Sequence, residues 1–514
     1  MEPGPERLRD WIARAANRNP QKPWIISAED GRSITYGELH RLAGRLAAFL
    51  REQRIGPNDR VALLANNSIE HLACYVGVVA YGATICTIHV EMNRHHLDNI
   101  LPALNPRLIV FEDGLGLDDL LATGSAPRFA IGRWDDRAKG DTFFGAVNRC
   151  EASDATIASA GGRDDAVVLF TSGTSARPKG VVLTFRELLA NAPATAAGFG
   201  LTGNDRVYDF RSFNWCSAQT LSLVPPLERG ASVIIARQFS RSRFFEHIRA
   251  YGATIATGNP TTLGMLLNGE DLSRDADVPN LRFITSSSAP LLTEDWRRFE
   301  ERFGIRVAQG YGSSETGWIA AHPGESRRVG TVGKPLAYHD LRIVDAAGQP
   351  LQPGESGRIE LGGFADNDYR CLAEDGTIRI DSRGRFKTGD LGFLDEDGYL
   401  HVTGREKELI IRGGVNISPL EIDSLLMQRE DVIEVATVGI PDAIYGEEVV
   451  SFVVPRPGAC VDADDLLRYC SAVLPAFKAP KRILLSEALP RTERGKLDRK
   501  ALVARWTKER SASS

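Results

Sequence analysis

Three stretches of this 514-residue chain repeat one rhythm: a short apolar run, then a segment with apolar residues at helical spacing. The first runs from the start to about residue 110, the second covers Arg206–Ala250 and the third Thr254–Phe303. In the first, Thr35-Tyr36-Gly37-Glu38 has the form of a capping box, in which hydroxyl and carboxylate satisfy free N–H groups at a helix start. Leu39, Leu42, Ala43, Leu46 and Ala47 follow on one helical face, Val61–Leu64 reads as a short strand, and a helix is expected from about Ile69. Strand–helix alternation of this kind favours parallel sheets covered by helices. From Leu341 the pattern changes. Leu341–Val344, Gly357–Leu361, Thr377–Ile380 and Tyr399–Val402 are short alternating runs between Gly-, Asp- and Pro-rich turns, which predicts a small antiparallel β-region. After Gly404 a compact α+β pattern begins, with helices over Pro419–Met427 and Ala463–Leu474 and strands over Ile433–Val438 and Glu448–Val454. A chain of this length exceeds what one core usually supports. The expected class is therefore α/β: a large N-terminal domain of layered sheets and helices with a small β-region over residues 1–404, a link at 405–408, and a small α+β C-terminal domain over 409–514.

A formal net charge of −5 leaves no basic excess for neutralising phosphates, which argues against a dedicated nucleic-acid binder. The seven cysteines are dispersed without metal spacing and read as free thiols in a reducing compartment. No apolar h-region opens the chain and no transmembrane-length apolar run occurs, so the cytoplasm is the expected setting. Nothing in the sequence fixes an oligomeric state.

The continuous apolar run Ala166–Phe170 marks a buried strand that leads directly into Thr171-Ser172-Gly173-Thr174-Ser175-Ala176-Arg177-Pro178-Lys179-Gly180. Hydroxyls, a flexible glycine and a lysine behind a buried strand suit a polyphosphate, with N–H and O–H groups donating and the lysine supplying charge. Composition alone equally allows a Ser/Thr-rich surface turn, and the Walker A spacing does not fit. Further along come Gln309-Gly310-Tyr311-Gly312-Ser313-Ser314-Glu315-Thr316-Gly317, then Phe386-Lys387-Thr388-Gly389-Asp390-Leu391, the stretch Gly404–Ile422, and Leu489–Arg499 with Gly495-Lys496. Taken alone, the segment with Glu315 reads as a tight turn carrying an exposed carboxylate and the segment with Asp390 as a hairpin turn.

In this order these segments resemble the signatures of the adenylate-forming superfamily: acyl-CoA synthetases, peptide-synthetase adenylation domains and luciferases. The likeness covers essentially the whole chain, including Thr35–Leu39 and Tyr445–Glu447. Departures fall at Ser175 and Ala176, where the family often has Thr and Gly, and at Ser314, where Thr is usual. The resemblance implies an ATP-dependent acid–thiol ligase that uses Mg²⁺ and coenzyme A to form an acyl-AMP and then an acyl-CoA. It implies that Thr171, Ser172, Gly173, Thr174, Ser175 and Lys179 hold phosphates. Gly310, Tyr311 and Gly312 lie at adenine, Ser314 at the α-phosphate, Glu315 at the metal, and Asp390 and Arg405 at the ribose. Lys407 occupies the hinge of a mobile C-terminal domain, Gly413 and Gly414 lie where the pantetheine arm passes, and Lys496 neutralises charge during adenylation.

The family's acid pocket is usually lined near Arg211–Cys216. Phe213-Asn214-Trp215 matches neither the aromatic-His pair frequent in acyl-CoA ligases nor the Phe-Asp of amino-acid adenylation domains. A neutral amide gives a substrate ammonium no ion pair. Asn259, Ser286, Ser287 and Ser288 stand where glycine and apolar residues are frequent, which suits a compact or polar acid; a hydrogen-bonded strand end is the alternative. Arg211 reads as a surface arginine, with a second substrate carboxylate as its other possible partner. Cys216 reads as a small pocket or core residue rather than a nucleophile. Two other activities fit the same motifs, loading of a separate carrier protein and acyl-adenylate sensing without catalysis, although the full set Lys179, Glu315, Asp390 and Lys496 exceeds what sensing requires.

Overall fold

The computed structural model describes residues 7–90, 92, 94–117, 125–136, 140–152, 158–171, 179–269, 277–322, 326–362, 369–381, 384–491 and 497–512. Two large sheets organise the N-terminal part. One runs in the order Val307–Gln309, Phe283–Ser286, Ile255–Ala256, Arg206–Asp209, Ser232–Ile235, Pro23–Ser27, Ser33–Thr35, and only the last strand is antiparallel to its neighbour. The other runs Ile378–Asp381, Tyr369–Leu372, Lys179–Thr184, Asp165–Thr171, Thr84–Thr87, Arg60–Leu64, Leu108–Phe111, Arg128–Ala130.

Local chemistry explains why the helices start where they do. Thr35 and Glu38 form the expected capping box at the helix Tyr36–Glu52. Thr184 and Glu187 form another, so the strand Lys179–Thr184 passes straight into the helix Phe185–Gly198. The helix Ile69–Tyr81 is capped by the Ser68 side chain and stopped by Gly82 at φ +106°. That helix is apolar nearly all round because it lies in the main core between the two sheets, among Val61, Leu63, Val167, Val233 and Ile235.

Parallel pairing holds within the three alternating stretches, Ser33–Thr35 excepted, but not across the whole second sheet. The second sheet is mixed, because the strand after Thr171 turns back and pairs Thr171 with Lys179. Nor does the Thr377–Ile380 run join the small β-region: the strand Ile378–Asp381 pairs with Tyr369–Leu372, which extends the large sheet through Lys179–Thr184. Alternation of apolar residues specifies a half-buried strand but not the sheet it enters. The small β-region itself is a four-stranded antiparallel sheet, Asp340–Val344, Gly357–Gly362, Phe386–Leu394, Leu400–Arg405. A short 3₁₀ turn, Glu406–Glu408, leads on to the C-terminal sheet of Val415–Ile417, Ile410–Arg412, Gly446–Pro455 and Val432–Asp442, with Arg482–Leu485 parallel beside Gly446–Pro455. The helices Pro419–Leu426 and Ala463–Val473 close this part around its own core, which includes Ile422, Leu426, Val449, Val453 and Leu466.

Candidate active site

Ligands of α/β sheets bind beyond the carboxyl ends of the parallel strands. Here the strand Val307–Gln309 ends in Gly310 and runs into the short strand Tyr311–Ser313. Gly310 is required by packing: a Cβ there would lie 2.7 Å from both Phe199 and Trp318. Its smallness lets the chain turn and send Tyr311 toward the small antiparallel sheet, where the Tyr311 hydroxyl donates to Asp390 Oδ2 at 2.5 Å. The other oxygen, Asp390 Oδ1, faces Arg405 Nε at 3.0 Å. Thr388 fixes the aspartate's backbone, since its hydroxyl donates to the Ile359 carbonyl at 2.9 Å and accepts from the Asp390 N–H at 3.0 Å. Burial, and then the Asp390 carboxylate, push the Tyr311 phenol well above its ordinary value, so it stays a donor. Three sequence motifs far apart in the chain thus meet at one carboxylate. A cavity of about 360 Å³ opens beside it, lined by Thr388, Gly389, Arg405, Glu406 and Lys407.

Lys179 is exposed at the start of its strand, with Nζ 4.3 Å from the centre of the Tyr369 ring. Glu315 is near enough to help burial push the Tyr369 phenol up. Ser314 is half-buried, and its carbonyl lies 3.7 Å from the Cys216 thiol. Cys216 is buried and its thiol is pushed up to about 12 by burial, which makes it a packing residue rather than a nucleophile. Ser172, Gly173, Thr174 and Ser175, together with Lys496, lie outside the described residues, and of Thr171 only the backbone pairing is described.

The Arg211 expectation is overturned. Its side chain is 2% exposed and grips Asp209, itself 0% exposed, with Nη2 2.7 Å from Oδ2. Asp209 also accepts from Thr257 Oγ1 at 2.6 Å and from the Arg211 N–H at 2.8 Å. Arg211 Nη1 lies 3.4 Å from Ser287 Oγ, and Nη2 lies 3.4 Å from Ser222 Oγ on a π-helical turn, Gln219–Leu223. The preceding strand carries the guanidinium inward, and a buried carboxylate two residues earlier supplies the counter-charge that makes this tolerable. Asp209 was the available signal in the sequence. Asn214 is buried, donates to the Ala65 carbonyl at 3.0 Å, and keeps its Oδ1 without a hydrogen-bond partner; the buried Thr285 and Ser286 hydroxyls are also unpartnered. Phe213 is buried, and Trp215 stacks on His89 with ring centres 5.3 Å apart. Ser287 is buried against Arg211, whereas Ser288 is exposed at φ +72°. Asn259 caps the helix Pro260–Leu267, its Oδ1 accepting from Thr262 N–H at 2.8 Å, so that oxygen is committed to the helix.

The family model for AMP-binding enzymes matches residues 12–365, and that for the AMP-binding enzyme C-terminal domain matches residues 421–496. The chain belongs to the AMP-binding enzyme family. This AMP-binding enzyme is 32% identical to a sulfoacetate–CoA ligase of Cupriavidus necator, over 97% of each chain. It is 31% identical to an oxalate–CoA ligase of Arabidopsis thaliana, over 96% of this chain and 98% of that one. A crystal structure of ATP-bound MatB from Rhodopseudomonas palustris superposes with a TM-score of 0.85 at 28% identity, covering 97% of this chain and 99% of that one.

In the C-terminal part of this AMP-binding enzyme, Gly413 and Gly414 form a tight turn with φ +58° and +82°, and a Cβ on Gly414 would meet nothing within 4 Å. Lys407 is exposed in the 3₁₀ turn. The ends of the segment bearing Lys496 are fixed by a bridge between Arg491 and Leu497 and by the Asp498 N–H donating to the Pro490 carbonyl at 2.9 Å. Arg499, the last residue of the Leu489–Arg499 motif and given no role there, pairs with the buried Asp423, donates to the Thr437 carbonyl at 3.1 Å, and lies 3.9 Å from Glu408. No helix among the described residues is long and apolar enough to cross a membrane.

Proposed function

We propose that this enzyme activates a compact, polar carboxylic acid and passes it to coenzyme A. It is an AMP-forming acid–thiol ligase that works with ATP, Mg²⁺ and coenzyme A. The residues fit these groups. Asp390 keeps a free lone pair on each oxygen beyond those used by Tyr311 and Arg405, enough for two ribose hydroxyls. Among the described residues no cluster of three metal-ligating side chains exists, and the single carboxylate of Glu315 suits Mg²⁺, which keeps most of its shell as water and phosphate oxygens. When bound, that ion neutralises charge on the departing phosphates.

In the first half-reaction a substrate carboxylate oxygen attacks the α-phosphorus and pyrophosphate leaves. Asp390, Arg405 and Tyr311 hold the nucleoside, with Gly310 and Gly312 flanking the tyrosine at adenine, and Ser314 donates to the α-phosphate. Thr171–Ser175 and Lys179 hold the outer phosphates, and Lys496 compensates negative charge as it builds on the phosphoryl oxygens. In the second half-reaction the C-terminal domain, residues 409–514, turns about Lys407 within the 405–408 link. The thiol sulfur, its proton lost to solvent, attacks the acyl carbon past Gly413–Gly414, and AMP leaves. The observation that carries the reading is the meeting of Tyr311 and Arg405 on the two oxygens of Asp390.

The acid's polarity is supported by the unpartnered Asn214 Oδ1 and the buried, unpartnered Thr285 and Ser286 hydroxyls, polar atoms that a long aliphatic chain would leave unsatisfied. The names of the relatives point both ways, since an indoleacetate–CoA ligase is also 31% identical. Coenzyme A is preferred over a carrier protein because these relatives are CoA ligases. A cytoplasmic setting, where ATP and reduced coenzyme A are abundant, suits the chemistry. The test is a panel of acids with Mg·ATP and coenzyme A, reading pyrophosphate release and thiol consumption. Turnover is expected with short acids carrying a second polar group; turnover confined to long-chain fatty acids would refute the substrate reading.

A further inference from the structure

One polar atom near the proposed phosphate site is left over by the residues assigned so far. The Tyr369 hydroxyl is buried and has no hydrogen-bond partner. Tyr369 opens the strand Tyr369–Leu372, which pairs with Lys179–Thr184, and its ring stacks at a tilt against Phe386 with centres 6.0 Å apart. Phe386 begins the strand that carries Asp390. On the same ring sits the Lys179 ammonium, 4.3 Å from the centroid. A cation over an aromatic face is held by the ring quadrupole. Burial and the neighbouring Glu315 push the Tyr369 phenol above its ordinary value, so the oxygen carries its proton and offers it.

A buried donor left unpaired is destabilising, and such groups in native proteins generally have a reason. The surroundings narrow what would satisfy this one. It must accept a hydrogen bond, tolerate the Lys179 cation and reach a place where Glu315 needs a cation between itself and any anion. A metal-bound phosphate meets all three conditions. We propose that Tyr369 belongs to the triphosphate site, its ring seating the Lys179 ammonium and its hydroxyl donating to a β- or γ-phosphate oxygen when Mg·ATP binds. This rests on the nucleotide site assigned above and adds a residue that none of the sequence motifs contains.

The experiment is calorimetric titration of the full-length protein with Mg·ATP and, separately, with AMP, which lacks the outer phosphates. Tyr369→Phe keeps the ring and removes only the hydroxyl. It is expected to bind Mg·ATP about tenfold more weakly, the loss of one charge-assisted hydrogen bond, with AMP affinity unchanged. Because it deletes an unpaired buried donor, its melting temperature should equal or exceed that of the unaltered protein. Tyr369→Leu also removes the seat of Lys179 and should weaken Mg·ATP by about a further threefold. If the Leu variant fails to fold, the Phe variant alone decides. A Phe variant that binds Mg·ATP normally, or that loses ATP and AMP equally, overturns the role of Tyr369. An unaltered protein that binds neither nucleotide overturns the nucleotide site itself.

Discussion

Replacing Asp390 by Asn is the sharpest test of the proposed ribose site, because the substitution conserves shape and removes only charge and one acceptor. Asp390 is 6% exposed and accepts from Tyr311 on one oxygen and Arg405 on the other. An amide turns its oxygen toward Arg405, which can only donate, and its NH₂ toward Tyr311, whose hydroxyl can also accept. The apo-protein contacts therefore survive in number. The Arg405 side chain is 50% exposed, so water solvates the guanidinium and the stability loss stays below about 1 kcal/mol. Nucleotide binding is different. The amide nitrogen has no acceptor left for a ribose hydroxyl, and one charge-assisted contact is lost outright, about 1.5–3 kcal/mol or roughly 10–100-fold in affinity. Ribose is common to both nucleotides, so Asp390→Asn should weaken Mg·ATP and AMP by the same factor, in contrast to Tyr369→Phe. Calorimetric titration of each ligand with thermal unfolding as a control measures this. An Asn variant that keeps its AMP affinity while losing ATP would show that Asp390 does not touch the ribose.

Lys496→Ala should lower adenylation by roughly 10²–10³-fold, on the scale of one transition-state charge donor, and spare thioester formation from supplied acyl-AMP; equal damage to both steps would contradict its role. Arg499→Met should destabilise the C-terminal domain by about 3–5 kcal/mol, because it strands the buried Asp423 carboxylate, and Arg499→Met/Asp423→Leu should recover most of that in denaturant unfolding. Burial holds the imidazoles of His71, His322 and His339 down to about 4, below their ordinary 6.5. Their contribution is fully present above pH 6.5 and is lost as pH falls from 6.5 toward 4, up to about 3 kcal/mol for each, so urea midpoints of the large domain should drop steeply across that window; a flat profile would mean these rings protonate without unfolding.

Where a feature is encoded by neighbours in the chain, the sequence showed it. The capping box at Thr35 and the strand Asp165–Thr171 are local, whereas the hydrogen bond between Tyr311 and Asp390 joins two motifs that are each legible alone but lie 79 residues apart. The sheet assignment of Ile378–Asp381 was hidden, because a strand's partner depends on the path of the whole chain rather than on its own alternation. Arg211 was misjudged for a related reason: arginine is usually exposed, and only the sight of Asp209 and Thr257 converging on it shows what compensates its burial. Tyr369 carried no signal at all, since its contact with Lys179 joins segments that are remote in sequence.

The pairing of residues 180–182 with 370–372 has a consequence for biosynthesis. A growing chain still short of residue 372 on the ribosome leaves one flank of its larger sheet without the Tyr369–Leu372 strand. Until the late strand arrives, the backbone edge of Lys179–Thr184 offers its unpaired N–H and C=O groups to any other strand it meets.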